Sequence, residues 1–265
     1  MRRRERALAT RDPVMARLIE AAGPCLIEAP HARAPFETLA SAIAHQQLNG
    51  VVAKRILARF TAIYAPVEFP HPSAVAATEE AALRAAGFSG SKIRALRDLA
   101  DKCISGVVPT VDEMYTLDNE AIIERITQVR GIGRWTVEML LMFQLARPDV
   151  LPVDDFGVCN GFRLAYGLKG MPRPRALAEF GERWAPYRSV AAWYLWRAVD
   201  LARDKKLPLP AGRAPRVALR VARVKPRSVK PNRAKRSVAK RSKTKRPSAR
   251  RSRSSSRSRS KRRRA

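Results

Sequence analysis

Two short stretches of this 265-residue chain gather residue types that can do chemistry. In Leu151-Pro152-Val153-Asp154-Asp155-Phe156-Gly157-Val158, two adjacent carboxylates stand before an apolar run. Acids in that position commonly cap a helix, accepting from the N–H groups that its first turn leaves without partners. A cap needs one acid, so the pair leaves one for chemistry, and the spacing alone does not say which. About twenty residues earlier, Val129-Arg130-Gly131-Ile132-Gly133-Arg134-Trp135-Thr136 sets two glycines around one apolar residue. A turn of this kind ends one helix and exposes the backbone N–H groups that open the next, forming an anion site without any side chain.

The elements that must position these residues read as helices, because apolar periodicity over residues 10–205 is of the 3.6 type and strict alternation is scarce. Asp118 precedes a helix carrying Ile122, Ile123, Ile126 and Val129. Thr78 precedes Glu79-Glu80 and a run to Leu83 that Gly87 ends, and Ser91 opens a helix through Leu96, Leu99 and Cys103 that Gly106 stops. Pro35 suits the first turn of a helix through Leu39, Ile43 and His45, and a second from Val51 to Phe60 follows Asn49-Gly50. With Asp12–Ala22, Arg175–Trp184 and Arg188–Leu201, nine or ten short helices are expected.

Composition bounds the rest. Of 53 basic residues, 24 lie in residues 209–265, where there is no acid, leaving 29 against 23 acids in residues 1–208. The tail, poor in large apolar residues and self-repelling, is expected to be disordered, while residues 1–208 can bury a core. Cys25, Cys103 and Cys159 are odd in number and form no C-x-x-C pair, so they read as reduced, buried small side chains. No apolar stretch is long enough to span a membrane and the start lacks a signal peptide's apolar run, so an intracellular, soluble protein is expected.

Taken together these motifs resemble the helix-hairpin-helix DNA glycosylases, and within them the alkylation-repair branch of 3-methyladenine glycosylases. The hairpin Gly131-Ile132-Gly133-Arg134-Trp135-Thr136, the loop Leu151–Asp155, the segment Leu39–Leu48 and the closing helix Trp184–Trp196 are similar to that family's motifs, in the same order. The resemblance covers about residues 35–203. It implies an all-α fold of two helical subdomains with a cleft between them over residues 1–208, with the hairpin at 127–137, followed by the disordered tail.

The same resemblance assigns roles. Asp155 would be the catalytic carboxylate, leaving Asp154 as the cap, and Trp135, Trp196 and Met139 would line the base pocket. Leu48 with Gln47 would form the intercalating wedge. Gly131, Gly133, Arg134 and Thr136 would bind DNA phosphate, and the carbonyls of Thr127, Val129 and Ile132 could hold a structural alkali cation. Arg188, at the start of the last helix, could meet a carboxylate or a phosphate. The family's bifunctional members carry a lysine nucleophile where this chain has Trp135, so the resemblance implies hydrolysis without strand cleavage.

The cysteine count excludes the four-cysteine iron–sulfur cluster of many relatives, and no cofactor is implied. The expected partner is double-stranded DNA containing alkylated bases, bound by a monomer with no membrane association. The expected place is the cytoplasm, at the nucleoid in a bacterium, or the nucleus in a eukaryote. The family's bacterial prototype has an extra N-terminal domain with a sheet, and about 34 residues before Pro35 leave room for a remnant at most. Two other readings stay open: a glycosylase for other damaged or mismatched bases, and a non-catalytic DNA-binding protein.

Overall fold

The structure is a computed structural model that describes residues 2–28 and 33–208; the tail beyond 208 and its expected disorder lie outside the described residues. The described residues form thirteen α-helices and one 3-10 turn, with no strand, in agreement with the expected all-α class. In chain order they are α1 (Arg3–Arg11), α2 (Pro13–Ala22), α3 (Pro35–His45), α4 (Gly50–Ala62), α5 (Pro72–Ala77), α6 (Glu80–Ala86) and α7 (Gly90–Ile104). There follow α8 (Val111–Thr116), α9 (Asn119–Ile126), α10 (Arg134–Phe143), α11 (Phe156–Ala165), α12 (Pro174–Gly181), the 3-10 turn Glu182–Trp184 and α13 (Arg188–Arg203).

Local signals place many of these ends. Asn49, Ser89 and Asp118 each accept an N–H bond from the first turn of α4, α7 and α9, and Pro13, Pro35, Pro72 and Pro174 sit in first turns, where the missing N–H is no loss. Gly87, at φ 108°, ends α6 in the left-handed region. Two expectations shift. Thr78 closes α5 rather than opening α6, and Ser89 rather than Ser91 caps α7. The three helices beyond the expected ten are α1, α5 and α8.

The helices form two groups. In one, α3, α4, α6 and α7 surround a core where Phe60 meets Tyr64, Phe69 and Phe88 edge-on at 5.4–5.8 Å, a favourable geometry for ring quadrupoles. In the other, α11 packs along α13, and α1 and α2 fold back onto α13. Asp12, buried, joins the chain's beginning to this group. Its Oδ1 caps α2, and its Oδ2 accepts from Tyr166 Oη at 2.6 Å and Trp184 Nε1 at 3.0 Å. Every donor here meets an acceptor, as a buried polar cluster requires. The described residues before Pro35 thus hold two helices that belong to the C-terminal group.

Candidate active site and DNA-facing surface

Three elements converge on Asp155. As N-cap of α11, its Oδ1 accepts the Val158 N–H at 2.7 Å. The same oxygen accepts Trp196 Nε1–H from α13 at 2.8 Å, and Oδ2 accepts Trp135 Nε1–H from the first turn of α10 at 2.8 Å. The cap therefore falls on Asp155, not on Asp154, which is exposed. One carboxylate serves both purposes because its two oxygens offer about four lone-pair sites.

Trp196 reaches Asp155 only because residue 157 has no side chain. A Cβ on Gly157 would lie 2.7 Å from Trp196 Cδ1 and 2.9 Å from its Nε1. Gly157→Ala is expected to push the indole away from Asp155 and lower excision about tenfold or more, the loss of one charge-assisted bond, with little change in melting temperature. Excision kinetics beside a thermal melt check this. Trp193 and Tyr194, on the same helix, are core.

The Trp135 ring, 49% exposed, borders a cleft of about 440 Å³ between α3 and α10. Met139, Leu140, Phe143 and Gln144 line one wall, and Thr38, Leu39, Ala42, His45, Gln46 and Gln47 the other. Trp196 adjoins this cleft by stacking on Phe143, with centroids 5.8 Å apart and planes at 28°. Of the two indoles only Trp135 lines the cleft itself, Trp196 lying behind Phe143, and both donate their N–H to the Asp155 carboxylate. Met139 lies in the wall beside Trp135.

At the cleft's edge, α3 ends at His45 and the chain turns sharply before α4. Gln47 has φ 58°, a conformation that strains a non-glycine residue, and both Gln47 and Leu48 are exposed. Leu48, 40% exposed, is joined by Val51 and Val52 in an apolar tip. Gln46 Nε2 donates to the Gly131 carbonyl at 2.8 Å, tying the tip to the hairpin.

The hairpin itself spans the end of α9 to the start of α10. Gly131 has φ 78°, and no side chain caps α10 at Gly133, so its first-turn amides face outward. The Thr136 N–H is spent on the Gly133 carbonyl at 3.0 Å. Arg134 differs more from expectation. Its guanidinium takes both oxygens of Glu120, at 2.8 and 2.5 Å, and Glu138 Oε1 at 3.1 Å, so its charge is already matched. Glu138 is buried, and burial pushes its carboxyl up to about 7, further than Arg134 pulls it down.

Helix α7 supports the hairpin from behind. Asp98 accepts the Arg130 N–H at 2.6 Å and Lys102 Nζ at 2.6 Å. Burial raises the Asp98 carboxyl, but these donors outweigh it and hold the group below its ordinary 3.8. A depressed carboxyl contributes stability that is full above its unfolded value and lost as pH falls through the folded one. Asp98→Asn should therefore lower stability at pH 7, with the gap to wild type closing as pH drops below 3.8, as urea titrations across pH would show.

Arg188 meets carboxylates. Its Nε and Nη2 take Asp149 Oδ1 and Oδ2 at 2.8 Å each, and Nη1 takes Glu182 at 2.9 Å. This fork fixes the start of α13, hence the height of Trp196. Cys25 and Cys159 are buried and Cys103 partly so; burial pushes the Cys103 and Cys159 thiols up to about 11, which keeps them protonated and unreactive at neutral pH. Among the described residues, no cluster of His, Cys, Asp and Glu could hold a metal, and no helix is long and apolar enough to cross a membrane.

Residues 40–186 match the family model described as HhH-GPD superfamily base excision DNA repair protein. The chain is 45% identical over 168 residues to DNA-3-methyladenine glycosylase 1 of Schizosaccharomyces pombe, covering 63% of this chain and 74% of that one. The solved structure of the S. pombe 3-methyladenine DNA glycosylase Mag1 in complex with abasic DNA superposes with a TM-score of 0.68 at 40% identity, over 76% of this chain and 98% of that one. A DNA-3-methyladenine glycosidase from Bacillus halodurans superposes with a TM-score of 0.70 at 32% identity, over 77% and 92%. With the hairpin, the aspartate at a helix start and the all-helical frame in one chain, the match settles the family: this protein belongs to the HhH-GPD superfamily of base excision DNA repair proteins.

Proposed function

We propose that this protein is a monofunctional DNA glycosylase that flips alkylated purines out of duplex DNA and hydrolyses their N-glycosidic bond. The observation that carries the reading is Asp155, held by indole N–H groups from two helices at the edge of an apolar cleft. Relatives named as 3-methyladenine glycosylases support the substrate class.

The steps follow from charge. Purines methylated at N3 or N7 carry positive charge, which the electron-rich faces of Trp135 and Trp196 attract by about 0.5–2 kcal/mol each. Donation of each indole N–H to Asp155 enriches those faces further. A cationic base leaves with the bonding pair and becomes neutral, so no strong general acid is required. The sugar left behind is oxocarbenium-like. The Asp155 carboxylate stabilises that positive charge, and water adds at C1′ with loss of a proton, giving the free base and an abasic site.

Flipping costs a few kcal/mol, and Leu48 with Gln47 fills the gap. Leu48→Ala should weaken binding to an abasic-site duplex about ten- to a hundredfold, corresponding to the roughly 1.5–3 kcal/mol of burying a leucine. Unchanged affinity in a fluorescence titration would remove Leu48 from that role. The amides near Gly131 and Gly133 hold a phosphate beside the lesion. An alkali cation would sit on the carbonyls of Thr127, Val129 and Ile132, where Val129 already accepts the Ile132 N–H, and its part would be to brace the turn. The 24 basic residues of 209–265 add sequence-independent phosphate contacts, each steepening the log–log salt dependence by about 0.9.

Strand incision distinguishes the readings. On alkylated duplex the product should break only after alkali, and borohydride should trap no protein–DNA adduct, because Trp135 offers no amine. Incision without alkali would make the enzyme a lyase as well.

A further inference from the structure

We infer that Lys92 is a positioning residue for the wedge: from α7 it clasps the end of α3 and holds Gln47 and Leu48 ready to enter the base stack. The inference rests on the glycosylase reading above, in which those two residues fill the gap left by the flipped base. Helix α3 leads directly into them, and α7 packs along α3.

A helix ends with four carbonyls that find no partner within it. At the end of α3 each has a donor. The Gln46 N–H donates to the Ala42 and Ile43 carbonyls at 3.2 and 3.4 Å, and the Leu48 N–H to the His45 carbonyl at 3.2 Å. Those donors are local and belong to the turn itself. The Ala44 carbonyl is met from outside, by Lys92 Nζ at 2.8 Å, from a residue 48 positions along the chain. An ammonium also suits the negative end of the α3 dipole. Burial draws it below its ordinary value, and among the described residues no carboxylate pairs with it, so this carbonyl is what holds it.

Gln47 shows why the clasp matters. Its φ of 58° persists only where the surroundings over-determine it, and Gln47 and Leu48 are exposed, so their own packing does little to fix them. The fixing comes from their neighbours. Lys92 holds Ala44, Gln46 Nε2 donates to the Gly131 carbonyl at 2.8 Å, and beyond the tip Asn49 accepts the Val52 N–H at 2.9 Å. A loop already in its bound shape loses less freedom on binding, so the clasp returns as affinity for the flipped state. Arg97, also on α7, makes a clasp of the same kind elsewhere, donating to the Thr78 carbonyl at the end of α5 at 3.0 Å.

The test is a double-mutant cycle read by fluorescence titration of the full chain: wild type, Lys92→Met, Leu48→Ala and the two combined, each on an abasic-site duplex and on the same duplex undamaged. Lys92→Met keeps the apolar stem and loses the ammonium. Alone it should weaken abasic-site binding about three- to tenfold, the cost of ordering a freed loop, and binding to undamaged duplex by less than about twofold. Combined with Leu48→Ala its effect should shrink to less than about twofold, because the wedge it positions is gone. Arg97→Met should leave the difference between the two duplexes as in wild type. A Lys92→Met loss that persists in the Leu48→Ala background or is equal on both duplexes would make Lys92 a phosphate contact or a general brace and overturn the inference. No loss, or the same response from Arg97→Met, would overturn it too. Unchanged abasic-site affinity in Leu48→Ala alone would instead defeat the wedge reading, and this inference with it.

Discussion

Asp155→Asn is expected to lower excision of 3-methyladenine by at least about 10²–10³-fold while leaving affinity for an abasic-site duplex within a few-fold of wild type. The size follows from removing one preorganised electrostatic partner of the transition state, about 2.7–4 kcal/mol. The geometry adds a second effect. Oδ1 accepts from Val158 and Trp196, and Oδ2 from Trp135. A carboxamide keeping its oxygen toward α11 turns an NH₂ toward the Trp135 N–H, donor against donor. Trp135 should therefore shift, visible as a change in tryptophan fluorescence without loss of folding. Asp154→Asn is the control. Asp154 is exposed and caps nothing, so that variant should stay within a few-fold of wild type. Single-turnover excision and equilibrium binding on the two variants separate the roles of the adjacent acids.

Gly161→Ala is expected to have the largest effect on stability, several kcal/mol, enough to reduce soluble yield severely. A Cβ at residue 161 would overlap the Leu195 carbonyl, which is backbone and has no rotamer to give, so α11 and α13 would have to separate. These helices pair closely and carry Asp155 and Trp196. Gly133→Ala contrasts with it, because nothing lies within 4 Å of its added Cβ and its φ is negative, so its melting temperature should hold. Thermal melts of the two variants test whether close helix approach, rather than glycine itself, is what matters.

Residues whose signals are local were legible in the sequence. Asn49, Asp118 and Pro35 mark helix starts through their own hydrogen bonds or ring geometry, and the Gly131/Gly133 turn marks the hairpin. Thr110 and Glu113 form a capping box that announces α8, a pattern present in the letters and absent from the expected set of helices. Gly157 and Gly161, four apart on α11, are a legible hint of close packing on one face. What periodicity cannot carry is contact between distant segments. Gln46 on the Gly131 carbonyl, Asp98 on the Arg130 amide and the acids around Arg134 are of this kind. The resemblance placed Asp155, Trp135 and Trp196 together, yet it gave the cap to Asp154 and a phosphate to Arg134, because neither bond is visible without the fold.

The chemical selectivity expected of this cleft is for bases that are already good cationic leaving groups. It is tested most directly by measuring free-base release from a panel of otherwise identical duplexes carrying 3-methyladenine, 7-methylguanine, 8-oxoguanine or a mismatched normal base. Release of 3-methyladenine and 7-methylguanine is expected, with 8-oxoguanine and the mismatch left intact. Release of 8-oxoguanine or of the mismatched base in preference to the methylated purines, or release of none of the four, would contradict it.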